Sequence, residues 1–423
     1  MNGESFEEKM CHQFSGPLLF HYVWWVLREA QKRQIHTLYF LARDGYLLYR
    51  MAKLFCKRYS LPIVCKYFFC SRASLRMPTY WLIGEEAYTL LFANGYRVSL
   101  NSLLQRAECT EEEKNMVCRS CRLEKLDRQT LLSKVQLGEL KDLLQNNSVF
   151  RKLIEKKSHQ SYKAAVKYLQ QEGLFFQENV ALVDSGWGGS IQRSIRQLLT
   201  SAGYCGRVTG FYFGMFEKPK STEDGEYLTW FFSAEGKAFR KIPFNPNLFE
   251  ILLSAPHGMT IRYKQENGKA FPVFLKNQMP ETELEKVKSN VRLVLDYTSA
   301  QLRNVSFDRF PKKIIQTNTE KLIWRYMAHP TRQEAEYYGN LLFCDDISDG
   351  YQMKLADVSQ QIKLNSYSIF PRIIRKVFHC PSSRVGCDLF WPYGVIAFLP
   401  KWKQSWYRWN IFVWEWIRYI KKM

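Results

Sequence analysis

Residues 180–199 read VALVDSGWGGSIQRSIRQLL, and this stretch decides the fold. The apolar run 180–183 has the β-branched content of a buried strand, and it ends in Asp184. A short Ser-Gly-Trp-Gly-Gly-Ser turn follows, and then apolar residues recur at helical spacing. Strand, glycine turn and helix in that order make the βα unit of a parallel sheet. Glycines let the backbone come close to a ligand, and the uncovered N–H groups of a helix start carry partial positive charge, which suits a phosphate. Gly188, Gly189 and Ser190 are the candidates. Asp184, at the carboxyl edge of a parallel strand, is placed to meet sugar hydroxyls or a metal ion. A tight βα connection in which Ser190 only caps the helix explains the same residues equally well.

Working outward, the pattern recurs. Residues 16–34, GPLLFHYVWWVLREAQKRQ, carry apolar positions at helical spacing and lead into a strand at 36–42. Arg43, Asp44 and Gly45 form a turn into an amphipathic helix over 46–59, and a second strand at 63–70 ends at Ser71 and Arg72. From 80 to 175 the chain is polar and helical, an insertion placed to cap one side of the site. Another strand ending in glycine is expected at 206–215, and beyond 244–258 (FNPNLFEILLSAPHG) the pattern turns mixed. The expected organisation is an α/β protein with a parallel sheet core. Residues 1–79 and 176–260 form its two parts, 80–175 the helical insertion, and 261–423 a mixed, mainly helical C-terminal accessory region.

The composition fits such a core. With 46% hydrophobic and 24% charged residues the 423-residue chain has ordinary globular usage, and its length leaves room for more than one domain. Its 61 Lys and Arg against 40 Asp and Glu give a formal charge of +21, which favours anionic partners. Nucleic acid is the weakest of these, because no zinc-finger spacing, RNA-recognition signature or groove-reading basic helix is present. No secretory signal or apolar run of spanning length is found, so a cytoplasmic location is expected, with peripheral attachment to the inner face of the cytoplasmic membrane as an option. The eleven cysteines lack framework spacing and are expected to be reduced. Cys118 and Cys121, the one close pair, are expected to be solvated helix-end thiols, since no second pair or His completes a zinc set.

Three further segments carry chemistry. LYFLARDGYLL (38–48) superficially resembles the phosphatase loop of haloacid dehalogenase-type enzymes, but Ala42 stands where the nucleophilic aspartate belongs, so no phospho-aspartate can form. CSRASLRMP (70–78) sets Arg72 and Arg76 four apart just past a strand, where guanidinium forks can hold a diphosphate; standing alone, the motif would read more plainly as an ion pair or a solvated helix face. In the tail, Trp402, Trp406, Trp409, Val413, Trp416 and Ile420 alternate at spacings of four and three among Lys and Arg. Six of the twelve tryptophans fall in the last 33 residues, a pattern that suits a basic amphipathic helix on an anionic membrane surface or a terminal helix packed on the domain.

Taken in order, these segments resemble type I phosphoribosyltransferases: an early strand and turn on the diphosphate, then a strand ending in Asp and a glycine turn on the 5-phosphate. That family's motif has two adjacent acids and a longer turn; here Ser185 takes the place of the second acid and the turn is about two residues shorter. A wider resemblance covers FSGPLLFHYVWWVLREA, LYFLARDGYLL, YFFCSRASLRMP, VALVDSGWGGSIQ, GFYFGM, FEILLSAPHG and WPYG. These look like a bacterial family encoded in surface-polysaccharide loci and often fused behind a haloacid dehalogenase-type phosphatase domain.

The resemblance implies a glycosyltransferase of O-antigen or capsule synthesis. It would move 5-phosphoribofuranosyl from phosphoribosyl diphosphate to a lipid-linked glycan acceptor, and a separate phosphatase would later remove the phosphate. Asp184 would then contact the ribose, with Ser185, Gly188, Gly189 and Ser190 on its 5-phosphate. Arg43, Gly45, Arg72 and Arg76, with Mg²⁺, would hold the diphosphate, and Asp44 would orient Arg43 or touch the metal. Glu250 and His257 are candidates to activate or orient the acceptor hydroxyl, although His257 reads more readily as structural. Two other functions remain open: a noncatalytic membrane-associated scaffold of a glycan assembly complex, and a transferase using a nucleotide sugar. The latter lacks an Asp-x-Asp motif, Asp345 and Asp346 being adjacent instead.

Overall fold

A computed structural model of the chain describes residues 4–93, 98–219, 221, 223, 225–236, 238–276, 279–309, 312–343, 353–367 and 389–420. Asp345 and Asp346 lie outside the described residues. The centre is a five-stranded sheet: β1 (Thr37–Leu41), β2 (Val64–Phe68), β3 (Asn179–Trp187), β4 (Arg207–Met215) and β5 (Glu226–Phe232). All neighbours run parallel, in the order β2-β1-β3-β4-β5. Alternation along β1 explains why both faces are covered. Leu38 and Phe40 enter one apolar cluster, while Tyr39 and Leu41 enter another on the opposite face.

On the first face lie α1 (Gly16–Lys32) and α2 (Gly45–Tyr59), whereas α3 (Arg72–Ile83) packs on the second. α1 is apolar nearly all round, and Leu18, Leu19, Tyr22, Val23, Val26 and Leu27 are fully enclosed, as a helix sandwiched in a core requires. The second face takes Leu75 of α3, Ala165, Tyr168 and Leu169 of α4 (Ser148–Gln171), and Ile195, Leu198 and Leu199 of α5 (Ser190–Ser201). The insertion has its own apolar cluster running from Met77 to Ile154. α4 joins the two, since its first half, with Phe150 and Ile154, belongs to the insertion cluster and its second half to the sheet.

The region beyond 261 supplies part of the main core. Val291, Val294 and Leu302 of the helix Glu281–Asn304, together with Trp391, Val395 and Ile396, pack in the same cluster as α1 and the sheet. Cys118 and Cys121 correct an expectation: both thiols are buried in the insertion cluster, because the helix Glu111–Ser120 turns Val117 and Cys118 inward and its C-cap residue follows them. β3 also runs further than its sequence suggests. Pairing continues past Asp184 to Gly186 with Gly214 and Trp187 with Met215. Gly186, at φ +128°, makes this possible, since a Cβ there would lie 2.0 Å from the Gly214 carbonyl oxygen.

Candidate active site at the carboxyl edge of the sheet

The order 2-1-3-4-5 puts the reversal of winding between β1 and β3, and ligands of open α/β sheets bind in the crevice outside the strand ends at that point. A cleft of about 1230 Å³ lies there. Its floor is Ala42, Arg43 and Asp44 after β1 and Asp184 to Ser190 at the end of β3; Arg72 and Arg76 of α3 form one wall. Ten cationic side chains line the cleft against five carboxylates, so its charge suits a polyanion.

The two floor carboxylates are held differently. Ser185 Oγ donates to Asp44 Oδ2, and the Ser185 backbone N–H donates to Asp184 Oδ1 at 2.9 Å. Burial pushes the Asp44 carboxyl up, while the Ser185 hydroxyl, Arg43 and Arg72 pull it back. Asp184 is pushed up to about 8, first by burial and then by the negative charge of Asp44; Glu250 adds to the rise, and the Ser185 N–H and Arg72 oppose it. Such a pair is poised to gain from a cation or from hydroxyl donors brought by a ligand. Tyr22 fixes the backbone beneath it, its hydroxyl lying 2.6 Å from the Asp184 carbonyl oxygen and 2.9 Å from that of Phe211.

The glycine turn presents the start of α5 to the same cleft. Gly189 is the N-cap residue at φ +66°, no side chain caps the first turn, and Gly188 to Ile191 line the cleft. A Cβ on Gly189 would sit 2.4 Å from the Tyr227 ring, so glycine is required by space as well as by conformation. Arg76 reaches Ser190 Oγ at 3.4 Å, joining the arginine wall to the turn. Glu250 of α6 (Pro246–Leu252) accepts from Trp187 Nε1 at 2.6 Å, which aims its carboxylate along the floor.

Twelve candidates came from the sequence, and ten of them line this cleft: Arg43, Asp44, Arg72, Arg76, Asp184, Ser185, Gly188, Gly189, Ser190 and Glu250. Gly45 and His257 do not. Gly45 lies where α2 crosses β1, and a Cβ there would meet the Phe40 backbone at 2.7 Å. His257 is enclosed by Tyr46, Tyr67, Phe69 and Phe274. Its Nδ1 donates to the Gly258 carbonyl at 2.8 Å and its Nε2 accepts from the Tyr67 hydroxyl at 2.7 Å. Burial lowers its pKa, which favours that neutral form.

Other lining residues were not legible as site residues. Arg193 forms a bidentate pair with Glu86 at 2.6 Å per bond, locking the insertion to α5 beside the cleft. Asn245 and Asn247 both donate to the Phe390 carbonyl, at 2.8 and 2.9 Å, bringing the FNPN and WPYG segments together at the far wall. For the asparagine wall the sequence signal was the quoted segments FNPNLFEILLSAPHG and WPYG; for Arg193 and Glu86 there was none.

The donor set fits Mg²⁺ when a ligand supplies phosphate oxygens. Two neighbouring carboxylates whose ionisation is opposed by burial and by each other would be relieved by a divalent cation, and Mg²⁺ ordinarily takes one or two carboxylates plus ligand phosphates. Among the described residues no group of three or more His, Cys, Asp or Glu could hold a metal without such a ligand. No family model matches the chain, and no curated protein matches it.

Proposed function

We propose that the protein is a phosphoribosyltransferase-like glycosyltransferase that moves 5-phosphoribofuranosyl from phosphoribosyl diphosphate to a glycan acceptor. The observation that carries this reading is the presence of two unlike anion-binding groups, three arginines and a helix start, in one cleft with two carboxylates. Arg43, Arg72 and Arg76, together with the α5 start at Gly188–Ser190, which has no side-chain cap, line one cleft with Asp44 and Asp184, and Arg76 reaches Ser190 Oγ at 3.4 Å. A ligand that carries a diphosphate, a phosphate and hydroxyls matches those groups.

In the reaction the bond from C1 to the diphosphate oxygen breaks, the acceptor oxygen bonds to C1, and the acceptor proton passes to a base. Positive charge grows on the ring as diphosphate leaves, so an anion near the ribose and cations on the leaving group both lower the barrier. Asp184 would accept from the ribose hydroxyls, and Arg43, Arg72 and Arg76 would take up the diphosphate charge. Mg²⁺, held by Asp44 and Asp184 with the phosphates, would add neutralising charge there. Glu250, oriented by Trp187, is the assigned base for the acceptor hydroxyl. The product keeps its 5-phosphate, which a separate phosphatase of the haloacid dehalogenase type would remove.

Titration calorimetry with phosphoribosyl diphosphate and Mg²⁺ tests the donor assignment. Saturable binding that ribose 5-phosphate and diphosphate each compete for is expected. Binding of a nucleotide sugar in place of phosphoribosyl diphosphate would move the assignment to another donor class.

A further inference from the structure

The last described helix, α7 (Lys401–Ile420), has two faces that do different things. Inward, Asn410, Ile411 and Tyr419 are buried, and Tyr419 stacks on Phe216 with ring centroids 6.4 Å apart. Gln404 Nε2 donates to the Leu399 carbonyl at 2.7 Å, and the Tyr407 hydroxyl to Asn365 at 2.8 Å. The helix is therefore anchored to the domain. Its other face carries the tryptophans, and they remain outside: Trp402 is 72% exposed, Trp406 50%, Trp409 53% and Trp416 41%. A separate segment extends the patch, since Phe239 is also exposed and its ring lies 5.9 Å from Phe412 of the helix.

We infer that this face is a docking surface for the headgroup layer of an anionic bilayer. Single exposed apolar side chains are ordinary, but four indoles on one stripe with a neighbouring Phe form a contiguous patch that calls for an occupant. The residue type selects the occupant. Indole rings, with an apolar body and one N–H, favour the boundary between headgroups and acyl chains. Lys401 and Lys403 are exposed at the start of the helix, and Lys403 Nζ lies 5.1 Å over the Trp402 ring, so positive charge borders the stripe. A bilayer with anionic lipid complements that charge and the +21 of the chain, whereas a second copy would bring two like-charged surfaces together. Among the described residues no helix is long and apolar enough to cross a membrane, so the helix lies along the surface.

The inward face gives this docking a consequence. Ile411, Glu415, Arg418 and Tyr419 line the cleft, so one helix separates the catalytic floor's far wall from the lipid headgroups. A helix with side chains is about 10 Å thick, a distance that an acceptor carried on a lipid can cross. That last step rests on the proposed chemistry; the docking surface does not.

Sedimentation of the full chain with phosphatidylcholine vesicles, with and without phosphatidylglycerol, tests the inference. Binding is expected to be at least about tenfold tighter to the anionic vesicles and to weaken with salt. Replacing Trp402→Ser, Trp406→Ser and Trp409→Ser together should reduce partitioning by about 100-fold while leaving donor binding and the melting temperature unchanged. Brominated acyl chains should quench the indole fluorescence of the unaltered protein, a readout that survives if the triple variant misfolds. Failure to bind either vesicle, or absence of quenching on bound vesicles, overturns the inference. So does a dimer in sedimentation velocity that the triple variant dissolves, which assigns the face to a second copy instead.

Discussion

Replacing Asp184 by asparagine should stabilise the ligand-free protein at neutral pH while removing its affinity for the donor. The cause is the elevated Asp184 pKa of about 8, set by burial and by the charge of Asp44. An unfolded Asp titrates near 3.9, so below about pH 4 both states hold the proton and no stability is at stake. Between about pH 4 and 8 the unfolded state gives up the proton that the folded state keeps, so stability falls as pH rises; above about 8 the loss is complete. Three pH units at roughly 1.4 kcal/mol each would cost about 4 kcal/mol at pH 7, and screening by water in an open cleft reduces this to ~2 kcal/mol. With an unfolding entropy of roughly 2 cal/mol/K per residue, ~2 kcal/mol moves the melting temperature of a chain this size by about 2 °C. Asparagine keeps the acceptor for the Ser185 N–H, so little else changes. Differential scanning calorimetry should show Asp184→Asn and the unaltered protein melting together near pH 4 and separating by about 2 °C near pH 7 and by more near pH 8, the variant higher. A variant that melts lower at pH 8, or by the same margin at both pH values, refutes the reasoning.

Further outcomes follow from the same geometry. Arg72→Gln, which removes one guanidinium that lowers the pKa of both floor carboxylates, should weaken donor binding by about tenfold or more, read by titration calorimetry. Gly189→Ala puts a Cβ against Tyr227 in a left-handed turn and should lower stability by about 1–3 kcal/mol in a chemical denaturation curve; a neutral result would mean that the turn is not held as described. Glu250→Gln keeps an acceptor for Trp187 but cannot take a proton, so kcat should fall by about 100-fold with donor affinity retained. Ser185→Ala withdraws the hydroxyl that favours ionised Asp44, and the pH dependence of donor binding should move to higher pH.

How much of this could be read beforehand depends on where each signal resides. The units around β1 and β3 were legible because an apolar run, a glycine turn and a helical period lie within twenty residues. Nine of the ten cleft residues came from those units and the CSRASLRMP segment after β2, and Glu250 from the separate FEILLSAPHG segment of the wider resemblance. β5, the sequence EYLTWFF, was passed over because its apolar half merges into the mixed pattern that follows, and only pairing with β4 identifies it. The helix Glu281–Asn304 resembles any surface helix by composition, yet Val291, Val294 and Leu302 complete the core against α1, a long-range contact that no local pattern announces. The Glu86 and Arg193 pair is 107 residues apart and equally silent in sequence. His257 shows the opposite case: a histidine in an aromatic segment suggests chemistry, but Tyr67 and the Gly258 carbonyl occupy both ring nitrogens. The tail could be read either as packed or as membrane-facing; the structure packs one face of the helix and leaves the tryptophan face exposed.

The central claim is that the paired carboxylates and the two anion sites serve transfer of a phosphorylated pentose. Its most direct measurement is mass spectrometry of a lipid-linked glycan acceptor incubated with the protein, phosphoribosyl diphosphate and Mg²⁺. The account predicts a mass gain equal to one phosphopentosyl unit, lost with Asp184→Asn. A gain of hexose from a nucleotide sugar, or no gain with a donor that demonstrably binds, would contradict it.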